Sequence, residues 1–228
     1  MNQTEQFIEV GKAYIDALNK LDIDNTESVA HILDILDCVH PAPGYQLGVY
    51  IEDPPRPFCG LTSWLCCYEG EKYKIITRPS DLDDYVLYRY SSMTYLRYTF
   101  DLFNHLSIKQ SDMGAWQAYL ISISKTLLPF TSRVYYTKRQ LIFSHEQLND
   151  IDLLFDEERT PELTNLDTDI SPSIHFDGKQ AMVSCCHWND WGGLIRENAK
   201  ITFFNGRVYL FEDFNEEKLF NYDCGIRY

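Results

Sequence analysis

Residues 173–213 limit the possible folds more than any other stretch of the chain. They read Ser173-Ile174-His175-Phe176, then Asp177-Gly178, then nine residues to His187. A short segment Trp188-Asn189-Asp190-Trp191-Gly192-Gly193 follows, then residues 194–204, Asn205-Gly206 and residues 207–212. Asp-Gly and Asn-Gly favour two-residue hairpin turns, because the central residues need positive φ. The pattern predicts a four-strand antiparallel meander. A turn at Asn205-Gly206 sets Phe204 opposite Arg207, Phe203 opposite Val208, Ile201 opposite Leu210 and Ala199 opposite Glu212. One face then collects Ala199, Ile201, Phe203, Val208 and Leu210. Lys200, Thr202 and Tyr209 take the other, with Phe211 as the apolar exception. A one-residue slip would scatter the apolar set, so this grouping supports the register. The Asp177-Gly178 turn likewise gathers Ile174, Phe176, Ala181, Val183 and Cys185 on one face, and His187 continues that row.

The rest of the chain is mainly helical in pattern. Residues 4–19 place Phe7, Val10, Tyr14, Ile15 and Leu18 at helical spacing. A second helix is expected over residues 26–37, capped by Thr26 or Ser28 and ended by Pro41-Ala42-Pro43-Gly44. Residues 46–51 have strand character, and residues 61–68 and 72–77 are read as a hairpin. Residues 80–103 are rich in aromatics and form an apolar helical stripe interrupted by Arg89. Ser111-Asp112 starts a helix that runs to Leu128, where Pro129 stops it. Short strands are expected at residues 134–136 and 141–143. Residues 146–169 hold nine acidic residues and Arg159 as the one base. Their first part reads as a short helix to Phe155 and the remainder as an exposed acidic connection. A last strand is expected at residues 218–222, with a tail that packs. The class that follows is α+β, with N-terminal and central helices packed on a C-terminal antiparallel β-meander. One domain of 228 residues is the reading adopted. A helical part over residues 1–145 with a β-meander part over 170–228 is the alternative.

Charge narrows the partners. The formal net charge is −14. A surface of this sign is repelled by nucleic-acid backbones and by anionic membranes, and it suits a basic protein partner. The plainer reading is that acidity only keeps the chain soluble. No apolar run approaches the roughly 18 residues of a bilayer span. The N-terminus lacks the basic and apolar regions of a secretory signal. Seven cysteines then read as reduced thiols of a cytoplasmic protein.

Chemistry has one main candidate place, at His187, Trp188, Asn189, Asp190 and Trp191. Ionisable groups and two indoles meet there at a turn held by strands, a common setting for binding residues. The structural reading is a hairpin end: His187 in the core row, the indoles closing the core and Asn189-Asp190 making an Asx turn. Zinc would need Cys59, Cys66, Cys67, Cys185, Cys186 and His187, but adjacent strand residues point to opposite faces and no Cys-x-x-Cys occurs. No metal or cofactor is therefore assigned. Phosphate loops, dinucleotide fingerprints and the hydrolase motifs are absent. Two functions remain open. One is a non-enzymatic acidic module that binds protein, narrowed to an immunity-type inhibitor of a basic toxin. The other is a small-molecule-binding or hydrolytic enzyme at the 187–191 turn, with a pocket shared by the aromatics of residues 85–98.

Overall fold

A computed structural model describes residues 2–22, 24–52, 62–69, 74–77, 102–128, 139–153 and 156–226. Helix α1 spans Gln3–Asn19. It begins in a reciprocal cap: Asn2 Oδ1 accepts from Glu5 N, and Glu5 Oε2 accepts from Asn2 N. The start thus falls one residue before the expected one. Its apolar stripe buries Phe7, Tyr14 and Leu18. The second helix is shorter than its pattern. A 3₁₀ turn, Thr26–Val29, leads into α2, Ala30–Ile35. Its cap is Asn25, whose side chain accepts from Glu27 N, rather than Thr26 or Ser28. Ser28 instead turns its hydroxyl back to the Asn25 carbonyl at 2.7 Å.

Strand β1 (Val39–Pro41) later pairs with β5 (Leu106–Ile108). Strands β2 (Tyr45–Glu52), β3 (Thr62–Glu69) and β4 (Lys74–Thr77) form a small sheet in the order β3-β2-β4. The expected hairpin between β3 and β4 is not made. Both pair with β2, β3 antiparallel and β4 parallel. Leu47 and Val49 of β2 are fully buried, and the central position gives that strand a ladder on each side. The 80–103 helix and the 134–136 strand fall outside the described residues, apart from Leu102 and Phe103, which are buried.

Helix α3, Asp112–Leu127, is the element laid against the large sheet. Ser111 caps it by accepting from Gly114 N at 3.1 Å. Trp116, Tyr119 and Leu120 are fully buried. Trp116 Nε1 donates to the Phe7 carbonyl at 2.9 Å, which ties α3 to α1.

The large sheet runs β10-β9-β8-β6, with β7 also on β8. Its strands are β6 (Gln140–Ile142), β7 (Ser173–Phe176), β8 (Gln180–Asn189), β9 (Gly193–Phe204) and β10 (Arg207–Phe220). The four-strand meander is present, with three differences from its expected register. The first hairpin turns on Gly178-Lys179, so Phe176 faces Ala181. Asp177 holds that turn by accepting from the backbone N–H groups of Lys179 and Gln180, and Gly178 has the positive φ. Pairing moves by two residues, so every side chain keeps its face. In the last hairpin the expected pairs hold at Phe204–Arg207 and Phe203–Val208. A bulge then intervenes before Leu210, which sets Leu210 opposite Thr202 and Phe211 opposite Ile201. Finally, residues 218–220 are not a separate strand, because β10 absorbs Asp213 and Phe214 in a second irregularity and continues to Phe220.

The two faces of this sheet lead to two cores. Ala181, Val183, Cys185, Ala199, Ile201 and Phe203 point toward α3 and join α1, α2 and the small sheet in the first. Cys186, Trp188, Leu194 and Phe220 point the other way into the second. That second core is closed by the stretch expected to be a short helix followed by an exposed connection. Residues 145–170 supply a 3₁₀ turn (His145–Asp150), another (Glu157–Arg159) and helix α4 (Thr160–Thr164). Leu148, Leu163 and Ile170 among them are buried. Most of their carboxylates are exposed while Leu148, Ile151, Leu153, Leu163 and Ile170 pack inward, so composition alone misreads the stretch. The tail packs as expected, with Cys224 N donating to the Asp190 carbonyl at 2.8 Å.

Candidate functional site

The strand end at residues 187–191 gathers side chains from both faces of the sheet. Strand alternation separates His187 from Trp188. Trp188 lies in the second core, with its ring stacked on Tyr222 at 5.3 Å and tilted against Phe220 at 6.3 Å. Its Nε1 donates to Asp190 Oδ1 at 2.9 Å. Asn189 makes the Asx turn, its Oδ1 accepting from Trp191 N at 3.1 Å. Trp191 is half-buried against the second core. Asp190 carries a raised pKa because burial and the nearby Asp152 outweigh the Trp188 hydrogen bond.

The turn closes on a glycine. Gly193 has φ +83°, and a Cβ there would strike the Phe220 carbonyl oxygen and lie 2.7 Å from Tyr222 N. Gly193→Ala is therefore expected to cost about 2–3 kcal/mol. Urea unfolding of the variant checks this, with Gly178→Ala as the comparison, where an added Cβ meets nothing within 4 Å. Equal losses in the two variants would remove the close approach as the reason.

His187 lies on the other face and is 1% exposed. Leu141 and Ile195 stand opposite it on the neighbouring strands. Its Nδ1 has no hydrogen-bond partner among the described residues. Burial pushes its pKa down to about 3, and the Arg139 charge adds to that, so the imidazole is neutral.

Beside it lies a polar network that inspection of the sequence did not single out. Glu197 is 1% exposed. Its Oε1 accepts from Tyr119 Oη of α3 at 2.8 Å. Arg139 Nη1 meets its Oε2 at 2.6 Å and reaches toward Glu216 at 3.8 Å with Nη2. The sequence signal was available: Glu197 occupies the inward row between Ile195 and Ala199. A carboxylate there must be paired or it destabilises the core. Cys185, opposite Glu197, is buried against the same network, and its thiol is held protonated by burial first and by Cys186 and Glu197 next. Burial likewise pushes Cys66 and Cys67 up to about 12. These thiols are poor nucleophiles, since reaction needs the thiolate.

A groove of about 600 Å³ opens at this end of the sheet. It is lined by Gln147, Asp150 and Asp152 from the 145–153 stretch, Trp188 and Asp190 from the turn, and Arg139. Arg139 is the one cation lining it among the described residues, and its guanidinium is engaged by Glu197 and Glu216. Of the five candidate residues, Trp188 and Asp190 thus border the groove. His187 lies behind it, and Asn189 shapes the turn. The aromatics of residues 85–98 are outside the described residues. Among the described residues, no group of three or more His, Cys, Asp or Glu side chains is arranged to hold a metal ion, and no helix is long and apolar enough to cross a membrane.

Comparison with protein-family models, with curated proteins and with solved structures gives no match.

Proposed function

We propose that this protein is a non-enzymatic binding module for a basic protein, and that the partner meets it at the groove beside the 187–191 turn. The observation that carries this reading is the convergence of Asp150, Asp152 and Asp190 around the edge of Trp188, with the only lining cation among the described residues already paired. A lysine or arginine side chain entering there meets three carboxylates, and a guanidinium can pair with one of them through two parallel N–H bonds. The net charge of −14 adds long-range attraction, which speeds encounter with a basic partner. The narrower form is an immunity-type inhibitor that covers a basic toxin. We place it in the cytoplasm on free cysteines such as Cys185, buried and held protonated, which suit a reducing compartment. The enzymatic alternative is weaker on physical grounds. The imidazole at this turn is buried, and the thiols nearest it are protonated.

Retention of lysate proteins on the immobilised chain, at low and at high salt, tests the reading. A basic protein is expected to be held at low salt and released at high salt. Asp150→Asn with Asp152→Asn is expected to slow its association roughly fivefold. Both side chains are outside the sheet, so the fold should persist. No basic protein held at low salt, or the same association rate in the variant, would overturn the proposal.

A further inference from the structure

Glu197 is a charge in a row that is otherwise apolar. Ile195, Ala199, Ile201 and Phe203 share its inward face of β9, and all are buried. An apolar side chain would complete the row, and a carboxylate there costs stability unless it is paired. Its pairing spans the sheet. Arg139 immediately precedes β6, and the strand order is β10-β9-β8-β6, so β8 lies between the two residues. The arginine side chain crosses that strand and brings Nη1 within 2.6 Å of Glu197 Oε2. Glu216, opposite Glu197 on β10, meets Nη2 at 3.8 Å. Tyr119 Oη donates to Glu197 Oε1 at 2.8 Å, which fixes the carboxylate that does the holding.

Arg139 also lines the groove, where its side chain is 20% exposed. The same groove carries Asp150, Asp152 and Asp190. Asp150 and Asp152 are exposed, and neither makes an ion pair among the described residues. A guanidinium released from Glu197 has these carboxylates to turn to. It is tethered beside them, so its effective concentration is one that a separate partner does not match. It would then take the place of a partner's basic side chain.

We infer that Glu197 is a positioning residue for the groove: acting through Arg139, it draws the chain's own cation back across β8 and cancels its charge, which leaves the three aspartates to a lysine or arginine of the partner. The inference rests on the function proposed above and deepens it, because it says which side chain keeps the site free and which cation competes for it. Stability alone asks for neither charge, since two apolar residues would fill the same space.

Fluorescence anisotropy of a labelled octalysine peptide with the full chain at low salt tests this. Wild type is expected to bind it, and Asp150→Asn with Asp152→Asn to weaken that binding, which places the peptide in the groove. Glu197→Gln keeps an acceptor for Tyr119 and is expected to weaken binding roughly tenfold. Glu9→Gln removes an exposed carboxylate of α1 and is expected to change binding by less than about twofold, which separates the effect from net charge. Arg139→Met with Glu197→Gln is expected to restore binding to the wild-type level or above, a recovery that a merely loosened fold does not give. Should circular dichroism show Glu197→Gln unfolded, Glu216→Gln loosens the same hold from its exposed end and is expected to weaken binding roughly twofold to threefold. No binding by the wild type, or binding indifferent to Asp150 and Asp152, would overturn the function proposed for the groove and this inference with it. Binding that needs those aspartates yet is unchanged in folded Glu197→Gln would overturn this inference alone. So would a loss there that the double variant does not recover, or unchanged binding in Glu216→Gln where that variant has to stand in.

Discussion

Arg139→Met is expected to lower the unfolding free energy by about 3–5 kcal/mol, because it leaves the Glu197 carboxylate buried without its counter-charge. Glu197 is 1% exposed and retains only the Tyr119 hydroxyl as a described partner once the guanidinium is gone. Removing both charges should cost far less. In Arg139→Met with Glu197→Gln, the amide oxygen still accepts from Tyr119, and no ion remains in the core. The double variant is therefore expected to recover most of the loss, giving a coupling of roughly 2–3 kcal/mol. Urea unfolding of the two single variants and the double variant at neutral pH measures it. A loss below about 1 kcal/mol in Arg139→Met would mean that Glu197 does not need this partner.

Acidification is expected to weaken the fold through His187. Its folded pKa is pushed down from 6.5 to about 3. Between those two values the unfolded chain binds a proton that the folded chain refuses. Stability is therefore fully present above the unfolded pKa and falls as the pH drops through the window. The slope is about 1.4 kcal/mol per pH unit for one proton. Over two units below pH 6.5 the loss reaches roughly 2–3 kcal/mol. The groups facing the ring are consistent with a neutral imidazole: Leu141 and Ile195 flank it, and Arg139 adds positive charge. Along the same row, Cys185 is protonated and Glu197 is occupied by Tyr119 and Arg139. Carboxylates elsewhere also titrate in acid, so the readout is a difference. His187→Gln should lose less stability per pH unit than the wild type between pH 6.5 and 4.5, by about one proton's worth. Parallel curves would show that the imidazole is not the group being charged.

Much of the fold was legible because hairpins are local. Asn205-Gly206 and the alternation around it placed β9 against β10, and Ser111-Asp112 marked the start of α3. The departures have separate causes. A bulge between Val208 and Leu210 leaves no turn dipeptide in the sequence, yet it shifts the rest of β10 by one residue. The parallel pairing of β4 with β2 depends on which ladder is free, and strand composition does not report that. The cap Asn2 lies two residues, and Asn25 one residue, outside the segments suggested by apolar spacing. Residues 146–169 were misjudged because nine carboxylates obscured the apolar positions that close the second core.

The candidate site divides the same way. Where residues 187–191 point depends on strand direction. Trp188 and Asp190 border the groove, whereas His187 is turned away behind it. Glu197 was the missed residue, and the break in its apolar row was visible in the sequence. Its partners were not, because Tyr119 lies 78 positions away. What the sequence determined by itself was the periodic part: strand alternation, turn residues, an amphipathic α1 and α3, and the sign of the net charge. These follow from interactions between neighbours in the chain. Tertiary structure alone decided which sheet edge β4 took, which segments packed on each face of the large sheet, and how Asp150, Asp152 and Asp190 came to line one groove. Those outcomes depend on packing between segments far apart in sequence, and no local pattern encodes the distance between them.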